Sequence, residues 1–163
     1  MRLDNKTIQM ASGPNYAALT TLFKDGVPQT HVMWVDTDGE NILINTEIHR
    51  FKYKNILKDP RVTVMIWKHD NPFKFVEIRG EVIGEITGQE ARDNIDKLSQ
   101  KYWDKPYPFP IQTERIVLVI KPNKEVMFNI KDEDLITLQL NEGVIYKGQI
   151  EGSHDSEEKY KYV

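Results

Sequence analysis

Two Asp-Gly dipeptides divide the N-terminal part of the chain into apolar runs that have the length of β-strands. The runs are YAALTTLF, which begins at Tyr16, PQTHVMWV and NILINT, and the dipeptides between them are Asp25-Gly26 and Asp38-Gly39. Apolar runs joined by Asp-Gly are the strongest short-range signal for a β-hairpin. This part of the sequence therefore predicts three antiparallel strands that follow one another in a meander.

Four later segments also have the pattern of strands. VTVMIWK is a compact apolar run, and FVEIRGEVIGEI alternates between apolar positions such as Val76 and Ile78 and charged positions such as Glu77 and Arg79. ERIVLVIKP and KEVMFNI predict two more strands. Five or six of these segments, paired as antiparallel strands with two inserted helices, would form a small closed or split β-barrel.

Two segments have apolar residues at helical spacing. The first is EIHRFKYKNILKD, which we expect Thr46 to cap and Pro60 to end. The second is TGQEARDNIDKLSQKYW, where Thr87 and Glu90 have the spacing of a capping box. The second segment predicts the longer helix.

The length of 163 residues is that of one domain. We expect a β-barrel domain over residues 1–150, with a further hairpin about residues 141–143, and a charged, disordered tail over residues 151–163. The net charge of −3 argues against broad nucleic-acid binding. The N-terminal segment has no apolar run of signal-peptide or membrane-spanning length, so we expect a soluble protein in the cytoplasm.

Several classes of catalytic site find no support in the sequence. The chain has no cysteine, which excludes disulfides, thiolate metal sites and a cysteine nucleophile. The four histidines, His31, His49, His69 and His154, lack the spacing of metal ligands, and we expect no metal site. Neither a G-x-G-x-x-G nor a Walker pattern is present, and no serine lies at a strand-to-helix elbow.

A basic cluster stands out in this acidic chain. It consists of Arg50, Lys52, Lys54, Lys58 and Arg61. Basic residues at the start of a helix oppose the helix dipole, so the placement is unfavourable unless an anion is bound there. A solvated helix face and an anion site both remain possible on the residues alone.

Five motifs resemble one family of flavoproteins. They are T-L-x-x-D-G-x-P at residues 21–28, V-M-W-V at 32–35, N-T-x-x-x-R-x-K-x-x-N at 45–55, D-P-R-V at 59–62 and V-E-I-R-G at 76–80. Over residues 14–129 the chain resembles the pyridoxamine-phosphate-oxidase-like split β-barrel flavoproteins, in the branch that uses FMN or the deazaflavin coenzyme F420. The resemblance implies a mainly β fold, a six-stranded antiparallel split β-barrel of the FMN-binding type, with two or three short helices.

The resemblance also implies a cofactor site in a groove between the two subunits of a homodimer. Arg50 and Lys52 would bind the phosphate, with Asn45 and Thr46 beside them and Lys54 as an additional charge. The cofactor-binding residues on the preceding strand would be Val32, Met33 and Trp34, whose backbone meets the ring edge and whose indole forms an apolar wall. For Trp34, a place in the core remains an alternative.

The resemblance implies an FMN- or F420-dependent oxidoreductase that transfers hydride between the cofactor and a small organic substrate. It identifies no catalytic side chain. Two alternatives remain: a flavin-binding or carrier protein without turnover of its own, and an interaction domain with an empty groove. The chain departs from the family pattern at His31 and in residues 131–163, which extend past the usual last strand.

Overall fold

The computed structural model describes residues 1–131. The predicted hairpin about residues 141–143 and the predicted tail lie outside the described residues. The elements, in chain order, are α1 (Asn5–Ser12), β1 (Tyr16–Leu22), β2 (Pro28–Trp34), β3 (Asp36–Thr37), β4 (Ile42–Glu47), α2 (Phe51–Ile56), β5 (Arg61–Lys68), β6 (Asn71–Ile86), α3 (Gly88–Trp103) and β7 (Arg115–Phe128).

The seven strands form one antiparallel sheet in the order β2-β1-β5-β6-β7-β4-β3. The two strands at the ends of this order, β2 and β3, are separated in the chain by Val35 alone. The sheet must therefore curl until its two ends meet, which confirms the predicted mainly β, split-barrel fold. Within residues 1–131 there are seven strands rather than the expected six, because β3, with two residues, is a separate strand.

The predicted three-strand meander is wrong in its second half. β1 and β2 form the expected hairpin, with Gly26 at a φ of +85° in the turn. The Asp38-Gly39 turn instead joins β3 to β4, and β4 pairs with β3 and β7 rather than with β2. The interruption of the strand at Val35 allows the chain to cross to the opposite end of the sheet, which a simple meander could not do.

The two strands predicted after α3 are one strand, β7. Pro122 interrupts the sequence pattern, but it lies where the pairing of β7 with β6 is irregular, and a missing N–H costs little there. Gly80 of β6 faces this point, and a Cβ atom at Gly80 would lie 2.3 Å from the carbonyl oxygen of Lys121. The close approach of the two backbones therefore requires glycine at this position.

Two details of the helices differ from the expectations. Thr46 lies within β4 and does not cap α2, whose N-cap residue is Arg50. Thr87 is the N-cap residue of α3, but its side chain makes no capping hydrogen bond, and Gly88 after it has a φ of +64°. The predicted capping box is therefore not formed.

The first helix, α1, has no counterpart in the sequence-based prediction. It spans eight residues, and the carboxylate of Asp4 accepts a hydrogen bond from the backbone N–H of Lys6 at 2.8 Å. The helix buries Thr7, Met10 and Ala11. A helix this short gives too few apolar positions for its period to be recognised. Within the part of the chain that the structure describes, no helix has the length and apolar character needed to cross a membrane.

Candidate functional site

A cleft of about 270 Å³ lies beside the unpaired edge of β2. Within residues 1–131, β1 is the only strand that pairs with β2, so every second residue of β2 directs its N–H and C=O groups away from the sheet. The cleft is lined by Tyr16, Val32, Met33, Trp34, Asn45, Ile95, Leu98, Trp103, Tyr107, Phe109 and Arg115. The fold thus brings four of the predicted cofactor-binding residues to one place.

Five of the eleven residues that line the cleft are aromatic. The Trp34 ring stacks on Tyr102, with 5.1 Å between the ring centroids and 5° between the planes. The ring of Trp103 meets Trp34 edge-on at 4.5 Å, and Tyr107 does so at 6.2 Å. Trp34 therefore both packs against α3 and lines the cleft.

The C-terminal end of α3 holds this wall against the point where the strand is interrupted. The Tyr102 hydroxyl accepts a hydrogen bond from the backbone N–H of Val35 at 3.1 Å and donates to the carbonyl of Asn15. The ammonium of Lys101 donates to the carbonyls of Val35 and Ala11. Burial raises the pKa of Tyr102 well above its usual value and lowers that of Lys101 to about 8.

The polar end of the cleft is formed by Asn45 and Arg115. The Asn45 amide donates to the carbonyl of Ala91 at 2.8 Å and to Oδ1 of Asn94 at 3.0 Å. Its own oxygen accepts from Nη1 of Arg115 at 3.3 Å. The Arg115 guanidinium also lies over the Tyr107 ring, 4.7 Å from its centroid. Arg115 is thereby fixed between a polar partner and an aromatic one.

Glu47 is a buried carboxylate next to Arg115. Its side chain is 2% exposed, and Oε2 accepts hydrogen bonds from the backbone N–H groups of Gln112 and Thr113 at 3.0 and 2.8 Å. Oε1 lies 3.5 Å from Nη2 of Arg115. Burial by itself would raise the pKa of Glu47, but the hydrogen bonds from Thr113 and Gln112 and the charge of Arg115 together hold it below its usual value. The carboxylate is therefore ionised at neutral pH.

Arg50 and Lys52 form what we call the basic rim. Lys52 is only 8% exposed, and none of the described carboxylates forms an ion pair with it. Burial lowers the pKa of Lys52, and the charges of Arg50 and Arg115 lower it further. Burial also lowers the pKa of His31, with smaller effects from Lys52 and Arg50. A buried cation among other cations is a costly arrangement that a bound anion would offset.

These residues fit an anionic group such as a phosphate. The basic rim supplies a guanidinium and an ammonium, which are the side chains that bind phosphate oxygens best. Within residues 1–131 there is no group of three or more carboxylate or imidazole side chains that could hold a metal ion.

The remaining predicted residues lie away from the cleft. Thr46 is buried in β4, whose side chains alternate between Asn45 on the cleft side and Thr46 on the other. Lys54 is exposed and lies over the Phe51 ring at 5.4 Å. Lys54 and Lys58 line a separate depression, together with Phe23, Lys24, Asp25, Phe51 and Asn55. Arg61 is exposed and pairs with Asp59.

Arg115, Glu47 and α3 are not among the parts of the site that were predicted from the sequence. Arg115 reaches Asn45 and Glu47 only because the first residue of β7 pairs with the last residue of β4. Nothing local in the sequence indicates that register. The proline- and aromatic-rich segment DKPYPFP was the one available signal, because exposed aromatic residues in a loop often contact ligands or partners.

The comparisons with known proteins agree with this fold. Residues 4–124 match the sequence model of pyridoxamine 5'-phosphate oxidase, and the chain therefore belongs to the pyridoxamine 5'-phosphate oxidase family. No curated protein sequence matches the chain.

Solved structures similar to this chain include one described as an F420 reductase. It is 28% identical, with a TM-score of 0.65, over 77% of this chain and 98% of that one. A conserved hypothetical protein from Mycobacterium tuberculosis is 20% identical, with a TM-score of 0.60, over 88% and 92% of the two chains. General stress protein 26 from Bacillus anthracis is 17% identical, with a TM-score of 0.58, over 77% and 92%. The last two similarities show the fold alone.

Proposed function

We propose that the protein is an oxidoreductase that binds FMN or the deazaflavin F420 and transfers hydride between this cofactor and a small organic substrate. The observation that carries the proposal is the buried ammonium of Lys52, which has no carboxylate partner among the described residues and lies close to Arg50. This charge arrangement favours an anion, and the adjoining cleft has the aromatic walls that favour a flat ring.

Each part of the site has a role in this proposal. Arg50 and Lys52 bind the phosphate, and the open edge of β2 at Val32 and Met33 offers the N–H and C=O groups of one of these two residues to the polar edge of the ring. Trp34 forms an apolar wall that excludes water from one side. The bound cofactor supplies the hydride chemistry, while the chain binds and orients it.

Two observations favour F420 over FMN. The similar structure with the highest TM-score quoted above is described as an F420 reductase. In addition, F420 carries an acidic tail, and the depression beside α2 presents the ammonium groups of Lys24, Lys54 and Lys58. FMN has no acidic group beyond its phosphate and would leave these lysines without a ligand.

We propose further that the site is completed by a second copy of the chain in a homodimer. Side chains around the cleft leave apolar surface in contact with solvent: Val32 is 66% exposed, Phe109 55% and Trp103 41%. A second subunit that covers these side chains would remove apolar surface from water and close the cofactor groove.

A binding or carrier protein without turnover is the second candidate function. It is favoured by the cleft lining, where the described residues include no histidine and no carboxylate that could move a proton to or from a substrate. Protein that binds cofactor tightly but reduces no acceptor, when supplied with reduced cofactor, would support this candidate over the oxidoreductase.

Titration of FMN and of F420 into the purified protein, followed by absorption and calorimetry, tests the proposal. Arg50→Ala should weaken the affinity about ten- to a hundredfold, because it removes a charge-assisted contact worth ~1.5 to 3 kcal/mol. Arg50→Lys should recover only part of the loss, since an ammonium lacks the planar fork of a guanidinium.

Arg79→Ala is the matched control. Arg79 is an exposed arginine of β6 that pairs with Glu77 and does not line the cleft, so the affinity should not change. Failure of the wild-type protein to bind either cofactor would refute the proposal and leave an interaction domain as the better description.

A further inference from the structure

Arg115 is a buried guanidinium whose hydrogen-bonding capacity is mostly unused. Its side chain is 9% exposed. Its one hydrogen bond within the described residues is the 3.3 Å contact from Nη1 to Asn45, and its Nε is buried without a partner. Unpaired donors on a buried charge are costly, so this geometry is better suited to a state in which a further group is bound.

Glu47 holds Arg115 in place but does not use up the hydrogen-bond donors of its guanidinium. The carboxylate makes its short hydrogen bonds to Gln112 and Thr113, which lead directly into β7 at Arg115. The contact from Glu47 to Nη2 of Arg115 is 3.5 Å and is an ion pair without a hydrogen bond. Glu47 thus holds the backbone before Arg115 and lowers the net charge beside it, while the guanidinium keeps free donors.

Arg115 also differs from the basic rim in position. Of the described residues that line the aromatic cleft, Arg115 alone is charged, whereas Arg50 and Lys52 do not line it. Charge interactions inside a cleft walled by aromatic rings are stronger than in water. The charge of Arg115 therefore acts on whatever flat group occupies the cleft.

We propose that Arg115 contacts the ring of bound FMN and stabilises its reduced, more negatively charged state, and that Glu47 is the residue that positions Arg115. This inference rests on the proposed function. Reduction of FMN adds two electrons and one proton, so the ring gains one negative charge, and a cation beside the ring favours that state. The reductant in the experiment is dithionite, which supplies both electrons.

The test measures the affinity for oxidised FMN in air and for dithionite-reduced FMN under anaerobic conditions. In Arg115→Gln, the ratio of the two affinities should shift about tenfold towards the oxidised form, which is a fall of ~30 mV in the potential of the bound two-electron couple. Arg50→Gln is the matched control. It should weaken the binding of both forms and leave their ratio within about twofold, because the phosphate carries the same charge in both.

Glu47→Gln separates an electrostatic role from a structural one. The amide oxygen of Gln can still accept the hydrogen bonds from Gln112 and Thr113, but the negative charge beside Arg115 is gone. The ratio should therefore shift towards the reduced form, opposite to the effect of Arg115→Gln. If Arg115 and Glu47 had only structural roles, both substitutions would shift the affinity ratio in the same direction or leave it unchanged.

Two further measurements keep the inference distinct from the proposed function. Riboflavin lacks the phosphate, and its affinity ratio should respond to Arg115→Gln as that of FMN does. Arg115→Lys keeps the charge and should restore most of the ratio. An unchanged ratio in Arg115→Gln, with FMN still bound, would overturn the inference and leave the proposed function standing. Absence of FMN and riboflavin binding in the wild type would overturn the inference, and absence of F420 binding as well would overturn the proposed function.

Discussion

At the scale of single residues, Lys52 shows how the site departs from what stability alone would favour. A lysine that is 8% exposed, with cations nearby and no carboxylate partner among the described residues, lowers the stability of the protein without ligand. An anion that binds there supplies the negative charge that Lys52 lacks in the protein without ligand. Stability and affinity should therefore respond to a change at Lys52 in opposite directions.

Lys52→Met should raise the free energy of unfolding of the cofactor-free protein and weaken cofactor binding. Methionine has a similar length and fills the same space without a charge. Urea denaturation measures the first effect, and calorimetric titration the second. Lys54→Met, an exposed change on the same helix, should leave the free energy of unfolding within about 0.5 kcal/mol of the wild type.

The pH dependence provides an independent check on Lys52. Burial, and then Arg50 and Arg115, hold its pKa in the folded state below the ordinary value of 10.5. At pH values between the lowered pKa of the folded state and 10.5, Lys52 carries its proton in the unfolded chain but not in the folded chain. The stability of the wild type therefore rises with pH in this range. Lys52→Met should lack this rise. Parallel stability curves for the two proteins up to pH 10.5 would contradict a buried, charged Lys52.

At the scale of elements, α3 substitutes for a missing strand partner. Val35 lies between β2 and β3, and its N–H and C=O groups bond to Tyr102 and Lys101 instead of to a neighbouring strand. Because the Tyr102 ring also supports Trp34, the same part of α3 joins the ends of the sheet and builds the wall of the cleft.

Tyr102→Phe should lower the free energy of unfolding by ~1 to 3 kcal/mol, because it leaves the Val35 N–H and the Asn15 carbonyl without a partner. Tyr53→Phe is the matched control. The Tyr53 hydroxyl donates to Glu85 at 3.3 Å on the surface, and its loss should cost about 0.5 kcal/mol or less. Equal effects of the two changes, measured by urea denaturation, would show that α3 does not secure Val35.

The elements also show which features a sequence can predict. The β1–β2 hairpin, β5, β6 and α3 were predicted because their signals are local: an Asp-Gly turn, a period of two, and a period of 3.6 residues. The pairing of β4 with β7 has no local signal. Cofactor-site residues with a family motif could be proposed from sequence, whereas Arg115 and Glu47 depend on that pairing and could not.

At the scale of the whole molecule, the proposed homodimer makes a definite prediction. Light scattering should give a mass near twice the 19.1 kDa of the chain. Val32→Asp places a charge in the exposed apolar surface around the cleft and should shift the protein to the monomer. Ile83→Asp changes a similarly exposed side chain away from the cleft and should remain dimeric. A 19.1 kDa wild-type particle at micromolar concentration would exclude the dimer.

The distance along the chain between Asn45 and Arg115 also sets the order in which the protein can assemble. These residues are 70 positions apart, and contacts of such long range form late in folding. During synthesis the segment with Arg50 and Lys52 leaves the ribosome well before β7 does. A ligand of the cleft can therefore recognise only chains that have already added β7 to the sheet. It should slow unfolding and leave the rate of folding almost unchanged.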